Sequence, residues 1–166
     1  MIDLKLKKNI IDYTKKLIKK NNYGQRGLYD GNKRKQFIGI LSENMIRDFL
    51  KKDLIGLDSN DEGFDIKYYN YKADIKSMER KVKPEPHHVN NLLDIQMKHQ
   101  ANAFIFSSLY VDKKILTICG WITKKDFKDK AKFYKKGTVR KRDDGTSFES
   151  FADLWELENK YLYPIL

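Results

Sequence analysis

Leu6, Ile10, Tyr13 and Leu17 recur at helical spacing with lysines filling the positions between them, so the pattern predicts an amphipathic helix over residues 3–22. Lys15, Lys16, Lys19 and Lys20 gather in its last turns, where cations complement the helix dipole. Asn21-Asn22-Tyr23-Gly24 stops it, and residues 25–31 read as a loop that carries Arg26. Asn32 suits an N-cap for a second helix over residues 33–52. The apolar stripe of that helix is Phe37, Ile38, Leu41, Met45 and Phe49, while Gln36, Ile40, Glu43 and Arg47 fall on its other side. Gly39, one turn before Glu43, costs about 1 kcal/mol relative to alanine and points to a close approach of strand or substrate.

The period then changes. Residues 54–57 read as a short strand and residues 58–63 as a turn-rich loop. Its acids Asp58, Asp61 and Glu62 lack the internal glycine and distal glutamate of a calcium loop. Residues 63–69 alternate, with Phe64 and Ile66 on one face and Asp65, Lys67 and Tyr69 on the other. A tight turn at Asn70-Tyr71 leads to a strand through Lys72-Ala73-Asp74-Ile75-Lys76. That turn sets Asp65 opposite Lys76 and Lys67 opposite Asp74. Pro84 and Pro86 make residues 77–86 irregular. Val89, Leu92, Leu93 and Gln96 suggest a helix from His87 or His88 toward Gln100. The continuous apolar runs 103–110 and 115–122 read as central strands covered on both faces. Thr123 and Asp126 suit a capped helix over residues 124–133. Residues 134–145 form a basic loop or hairpin, and residues from Ser150 onward, with Phe151, Leu154 and Trp155, a final helix.

Asp65, Asp74 and Lys76 carry the chemistry. In a strand, Asp74 and Lys76 share a face while Ile75 turns to the core. Two carboxylates suit Mg²⁺, which takes one or two of them and fills its remaining positions with water and phosphate. A lysine is a point charge suited to a phosphate or an attacking water. The plainer account is a wet strand face with cross-strand ion pairs Asp65–Lys76 and Lys67–Asp74. His87, His88 and His99 come with no cysteine at zinc spacing.

The array resembles the PD-(D/E)XK nuclease superfamily, which includes restriction endonucleases, phage and archaeal junction resolvases and repair nucleases. Asp65 matches its first acid, Asp74-Ile75-Lys76 its (D/E)-x-K, and Glu43 the helical glutamate of many members. The likeness spans residues 32–110. Phe64 replaces the frequent proline, and Asp74 the commoner glutamate. The resemblance implies an α/β restriction-endonuclease-like core, a central mixed sheet flanked by helices in αβββαβ order, with extra N- and C-terminal helices. It implies that Asp65, Asp74, Glu43 and the carbonyl of Ile75 bind Mg²⁺ or Mn²⁺, with Lys76 acting on the attacking water. A glutamine such as Gln96 also serves some members. The implied activity is metal-dependent hydrolysis of DNA phosphodiesters. Structure-specific resolvases, which act as dimers, raise the question of a homodimer. A non-catalytic DNA-binding protein on the same fold is the alternative, and an adaptor for RNA or protein a further one.

Composition adds a partner. Lysine and arginine number 34 against 23 acids, for a net charge of +11, which points to a polyanion and to DNA first. Abundant Asn, Lys, Ile and Tyr also fit an AT-rich coding sequence, which weakens that inference. Arg26, Lys33, Arg34, Arg80, Lys81, Arg140 and Lys141 are the candidate phosphate contacts. The single cysteine, Cys119, sits in an apolar run and reads as a buried hydrophobe. No apolar stretch approaches the roughly 20 residues of a membrane span and no signal-peptide block opens the chain, so the expected location is cytoplasmic, with no membrane partner. The 166 residues are expected to form one domain: a basic N-terminal helix and loop (1–31), a core (32–122) and a C-terminal helical extension (123–166).

Overall fold

The computed structural model describes residues 1–23, 32–56, 63–141, 145 and 147–165. In chain order, β1 (Ile2–Lys5), α1 (Lys8–Lys20) and α2 (Lys33–Phe49) precede a hairpin of β2 (Ile66–Tyr68) and β3 (Tyr71–Arg80). β4 (Val89–Leu93) and a 3-10 turn (Asp94–Lys98) lead to β5 (Ala103–Tyr110), β6 (Ile115–Thr123) and α3 (Lys124–Lys130). The chain closes with β7 (Lys132–Tyr134), β8 (Val139–Lys141), β9 (Ser147–Glu149), β10 (Leu154–Glu158) and a second 3-10 turn (Asn159–Tyr161). The architecture is α/β. A mixed sheet runs in the order β1-β6-β5-β3-β2, a smaller sheet in the order β4-β10-β7, and β8 pairs with β9.

The central sheet is covered on both sides, as its apolar strands require. On one side Ile75, Ile105, Leu109, Leu116 and Ile118 pack against Ile38, Leu41, Met45 and Ile46 of α2 and Ile10 of α1. On the other, Phe104, Phe106, Cys119 and Ile122 meet Phe127 of α3, Leu92 of β4 and Leu157 of β10. Cys119 is the buried hydrophobe its neighbours suggested. β3 and β5 run parallel in register from Ala73–Ala103 to Arg80–Tyr110, so Asp74 and Lys76 lie on the side of Phe104 and Phe106. Gly120 (φ +148°) lets the C-terminal segment close over β6: a Cβ there would sit 2.5 Å from the carbonyl oxygen of Tyr163.

Several elements differ from the sequence pattern, each for a physical reason. The N-terminus opens as strand, because Ile2, Leu4 and Leu6 also alternate and β1 finds β6 to pair with; the first helix begins only at Lys8. β3 continues four residues past Lys76, because an eight-residue ladder with β5 holds it and no breaker intervenes before Pro84. The helix expected after His88 is β4 and a 3-10 turn. Asn90 and Asn91 are weak helix formers, and Asn90 Nδ2 instead donates to Asn159 Oδ1 (2.8 Å) and the Leu157 carbonyl (3.3 Å). The expected αβββαβ order therefore lacks its second helix. The C-terminal extension is mostly strand: Leu154 and Trp155 belong to β10, which has a strand on each side. No strand forms at residues 54–56; Ile55 N–H donates to Asn44 Oδ1 (2.9 Å) and its carbonyl accepts from Tyr13 (2.7 Å). Arg26, Leu57 and residues 58–62 lie outside the described residues. Among those described, no helix is long and apolar enough to cross a membrane.

Candidate active site

The hairpin turns at Tyr69-Asn70, one residue earlier than expected, which shifts the register by two. A shift of two keeps every side chain on its face but changes each partner. Lys67 lies opposite Lys72, and Ile66 opposite Ala73. Extended by one pair, the ladder sets Asp65 beside Asp74 rather than Lys76. The predicted cross-strand ion pairs are absent; like charges meet across the hairpin, which destabilises an ordinary strand pair.

At Asp65 the ladder stops. Its N–H donates to the Ala73 carbonyl (3.0 Å), and its carboxylate, instead of a main-chain carbonyl, accepts the Ile75 N–H (2.6 Å). Ile75 thus addresses its backbone groups to the edge that β2 has vacated, since one residue's N–H and C=O share a side of the strand. Asp74 Oδ2 lies 2.9 Å from Lys76 Nζ, with the two side chains 5% and 16% exposed. That contact has the distance of an ion pair without the alignment of a hydrogen bond, and Asp74 Oδ2 is buried with no hydrogen-bond partner among the described residues.

Glu43 reaches the same edge from α2, which Asn32 caps by accepting Lys35 N–H (2.9 Å). The Glu43 side chain is 13% exposed and accepts from Arg47 Nε at 2.8 Å. Arg47 also donates to the main-chain oxygen of Asp65, tying helix to hairpin. Burial pushes the Glu43 carboxyl up to about 8, aided by repulsion from Asp65 and opposed by Arg47 and Lys76. Burial likewise raises Asp65 to about 6; Lys76 opposes this rise and Asp74 adds to it. Asp65, Asp74 and Lys76, which the strand pattern singled out, and Glu43, which the resemblance added, therefore share one electrostatic environment. Arg47 was not foreseen as a member, although its i+4 spacing from Glu43 is a legible signal. His99 was not foreseen here either. It follows the 3-10 turn, and its Nδ1 stands 3.9 Å from Asp74 Oδ2; no local spacing announces that contact. Lys76 also lines a recess of about 20 Å³, enough for one water.

Among the described residues no three His, Cys, Asp or Glu side chains form a ready ligand cluster. Asp65 is held by Ile75 N–H, Glu43 by Arg47 and Asp74 by Lys76. The donor set nevertheless fits a hard divalent ion: carboxylate oxygens beside a main-chain carbonyl, one buried oxygen lacking a hydrogen bond.

The candidate phosphate contacts divide. Lys33, Lys81 and Lys141 are exposed. Arg34 pairs with Glu79. Arg80 is half-buried, donating to Ser108 Oγ (3.2 Å) and the Val89 carbonyl (2.6 Å). Arg140 pairs with buried Glu156 and lies 3.9 Å from the centre of the Tyr134 ring. Arg80 and Arg140 are thus structural, because their partners are internal. Gln96 caps the 3-10 turn by accepting Leu93 N–H (3.0 Å), and His88 Nδ1 accepts Glu85 N–H (3.0 Å). Gly39 is exposed, and a Cβ there would meet nothing within 4 Å, so close packing does not explain it.

Comparisons with protein-family models, curated proteins and solved structures return no match.

Proposed function

We propose that this chain is a metal-dependent deoxyribonuclease with a restriction-endonuclease-like core. The observation that carries the reading is the Asp65 carboxylate on the Ile75 N–H at an interrupted sheet edge, electrostatically coupled to Glu43, Asp74 and Lys76. Stability alone gives no reason to bury three acids together; isolated buried charges are costly. The helix–hairpin unit followed by a parallel neighbour to β3 supports the resemblance, although the crossover lacks its helix.

Asp65, Asp74 and the Ile75 carbonyl, with Glu43, would hold Mg²⁺ or Mn²⁺. Such an ion, when bound, supplies a low-pKa water and neutralises charge on the phosphoryl group. Lys76, fixed by Asp74, orients a water or steadies a phosphate oxygen. The +11 charge and exposed Lys33, Lys81 and Lys141 favour the DNA backbone and give salt-sensitive binding. The engagement of Asp65 by Ile75 N–H and of Glu43 by Arg47 favours a second reading, a DNA-binding protein without cleavage.

Purified protein incubated with plasmid and with branched DNA, in Mg²⁺, Mn²⁺ or EDTA, separates the two. Metal-dependent cleavage lost in Lys76→Ala and in Asp74→Ala, with DNA binding kept, is the expected result. Cleavage surviving both substitutions refutes the site; binding without cleavage in any metal selects the second reading. Faster cleavage of branched DNA by a species that sediments as a dimer would favour a resolvase-type enzyme.

A further inference from the structure

A second surface lies next to the carboxylate cluster. A cleft of about 610 Å³ opens between α3, the 3-10 turn after β4, and β10, lined by Lys124, Lys125, Lys128, Trp155, Tyr71 and Met97 among others. Asp94, the one acid of its lining among the described residues, accepts from Trp155 Nε1 at 2.8 Å, which fixes the indole as a wall of the cleft. Phe133 backs that ring, with centroids 4.8 Å apart. Lys124 Nζ is committed to the carbonyls of His99 (2.8 Å) and Ala101 (3.2 Å). Lys125 and Lys128 are exposed and in no salt bridge among the described residues. The cleft is therefore cationic along one side and aromatic along the other.

It also adjoins the chemistry. The segment His99–Ala101 that Lys124 holds begins at the histidine 3.9 Å from Asp74, and Asn102, which lines the cleft, fixes β3 by accepting Lys72 N–H (2.8 Å). The cleft is thus linked to the candidate centre through Lys124 and His99 and through Asn102 and β3.

We propose that this cleft binds an unpaired segment of DNA beside the bond to be cut, with Lys125 and Lys128 on its phosphates and a base against Trp155. The volume is that of a site for one drug-sized ligand, room for a nucleotide or two and far too small for a double helix. Aromatic rings beside lysines suit single strands, whose bases offer open faces for stacking. The proposal rests on the nuclease reading for its role, and it makes overhangs, flaps and forks the preferred substrates. Binding itself does not depend on cleavage.

The test measures binding in EDTA by anisotropy and tryptophan fluorescence. The probes are a labelled 12-mer of deoxythymidylate, a blunt duplex of equal length, and free thymidine monophosphate. Expected are tighter binding of the 12-mer than of the other two and a change in tryptophan emission. Lys125→Glu/Lys128→Glu should weaken 12-mer binding at least tenfold and flatten its salt dependence by about 1.4, the share of two phosphates on a single strand. Trp155→Phe should retain binding within about threefold and Trp155→Ala lose roughly tenfold, with circular dichroism and Tm showing both folded. An unaltered affinity and salt slope in the double variant would overturn the proposal, as would monophosphate binding as tight as the 12-mer. Cleavage in Mg²⁺ is scored separately. A protein that cuts nothing, yet loses 12-mer binding in the double variant, keeps the cleft and forfeits the nuclease reading.

Discussion

Replacing Glu43 by glutamine should stabilise the metal-free protein above neutral pH. In the folded chain Glu43 holds its proton up to about 8, against 4.5 for the free group. Between those values the native state binds a proton that the unfolded chain releases, so stability falls as pH rises from 4.5 to 8. Asp65, raised from 3.8 to about 6, adds a decline in the same direction over the lower part of that window. The rise at Glu43 caps its effect at about 5 kcal/mol; its main cause is burial, and relaxation and water entry around a buried charge reduce such a penalty, here to about 2 kcal/mol. Glu43→Gln keeps an acceptor for Arg47 and removes the charge. At pH 8.5 in EDTA its Tm should exceed that of the parent by roughly 4–8 °C, with the two converging near pH 4.5. Saturating Mg²⁺ should raise the parent's Tm and close the gap, because a ligand that binds only the native state stabilises it. Thermal unfolding followed by circular dichroism, in steps from pH 4.5 to 9 with and without Mg²⁺, measures all of this. A variant less stable than the parent at every pH would mean that Glu43 is a structural partner of Arg47, and the argument for the site would lose its helix.

Other consequences can be checked alongside. Gly120→Ala places a Cβ against the Tyr163 carbonyl at a positive φ and should destabilise by roughly 2–4 kcal/mol in urea melts. Glu156→Ala strands Arg140 in a mostly buried position and should cost about 3–5 kcal/mol, while the salt slope of DNA binding stays as in the parent. Asn90→Leu leaves Asn159 Oδ1 without its 2.8 Å donor and should lose about 1–3 kcal/mol, read from the same melts. His99→Ala, which removes the imidazole beside Asp74, should lower Mg²⁺-dependent cleavage roughly tenfold with Tm unchanged; an unaltered rate would place His99 outside the working site.

The site residues were more legible than the fold around them. Asp65 and Asp74-Ile75-Lys76 could be found because a strand's two-residue period places Asp74 and Lys76 together whatever the register. Glu43 entered only through the resemblance: the stripe of α2 and its cap at Asn32 place it on the helix but leave the orientation of that helix open. The crossover was opaque because Val89-Asn90-Asn91-Leu92-Leu93 has no clean period, and its choice of strand depends on β10, more than sixty residues away. β10 was misread for a related reason: Phe151, Leu154 and Trp155 fit helical spacing, and only neighbours on both sides make that segment extended. Arg80 and Arg140 look like free cations in a charge count. Their burial against Val89, Ser108 and Glu156 is tertiary information, and His99 reaches Asp74 only through the folded crossover.

The shortness of β2 bears on how this protein could change. At Ile75 one amide is claimed by the Asp65 carboxylate where a longer β2 would have offered a peptide carbonyl. Secondary structure and chemistry compete for the same few atoms. Two more residues of regular strand ahead of Ile66 would knit the edge shut, make a firmer hairpin and swing Asp65 out of reach. A lineage selected for robustness alone would drift toward that sealed hairpin, and the frayed edge is what such drift would erase first.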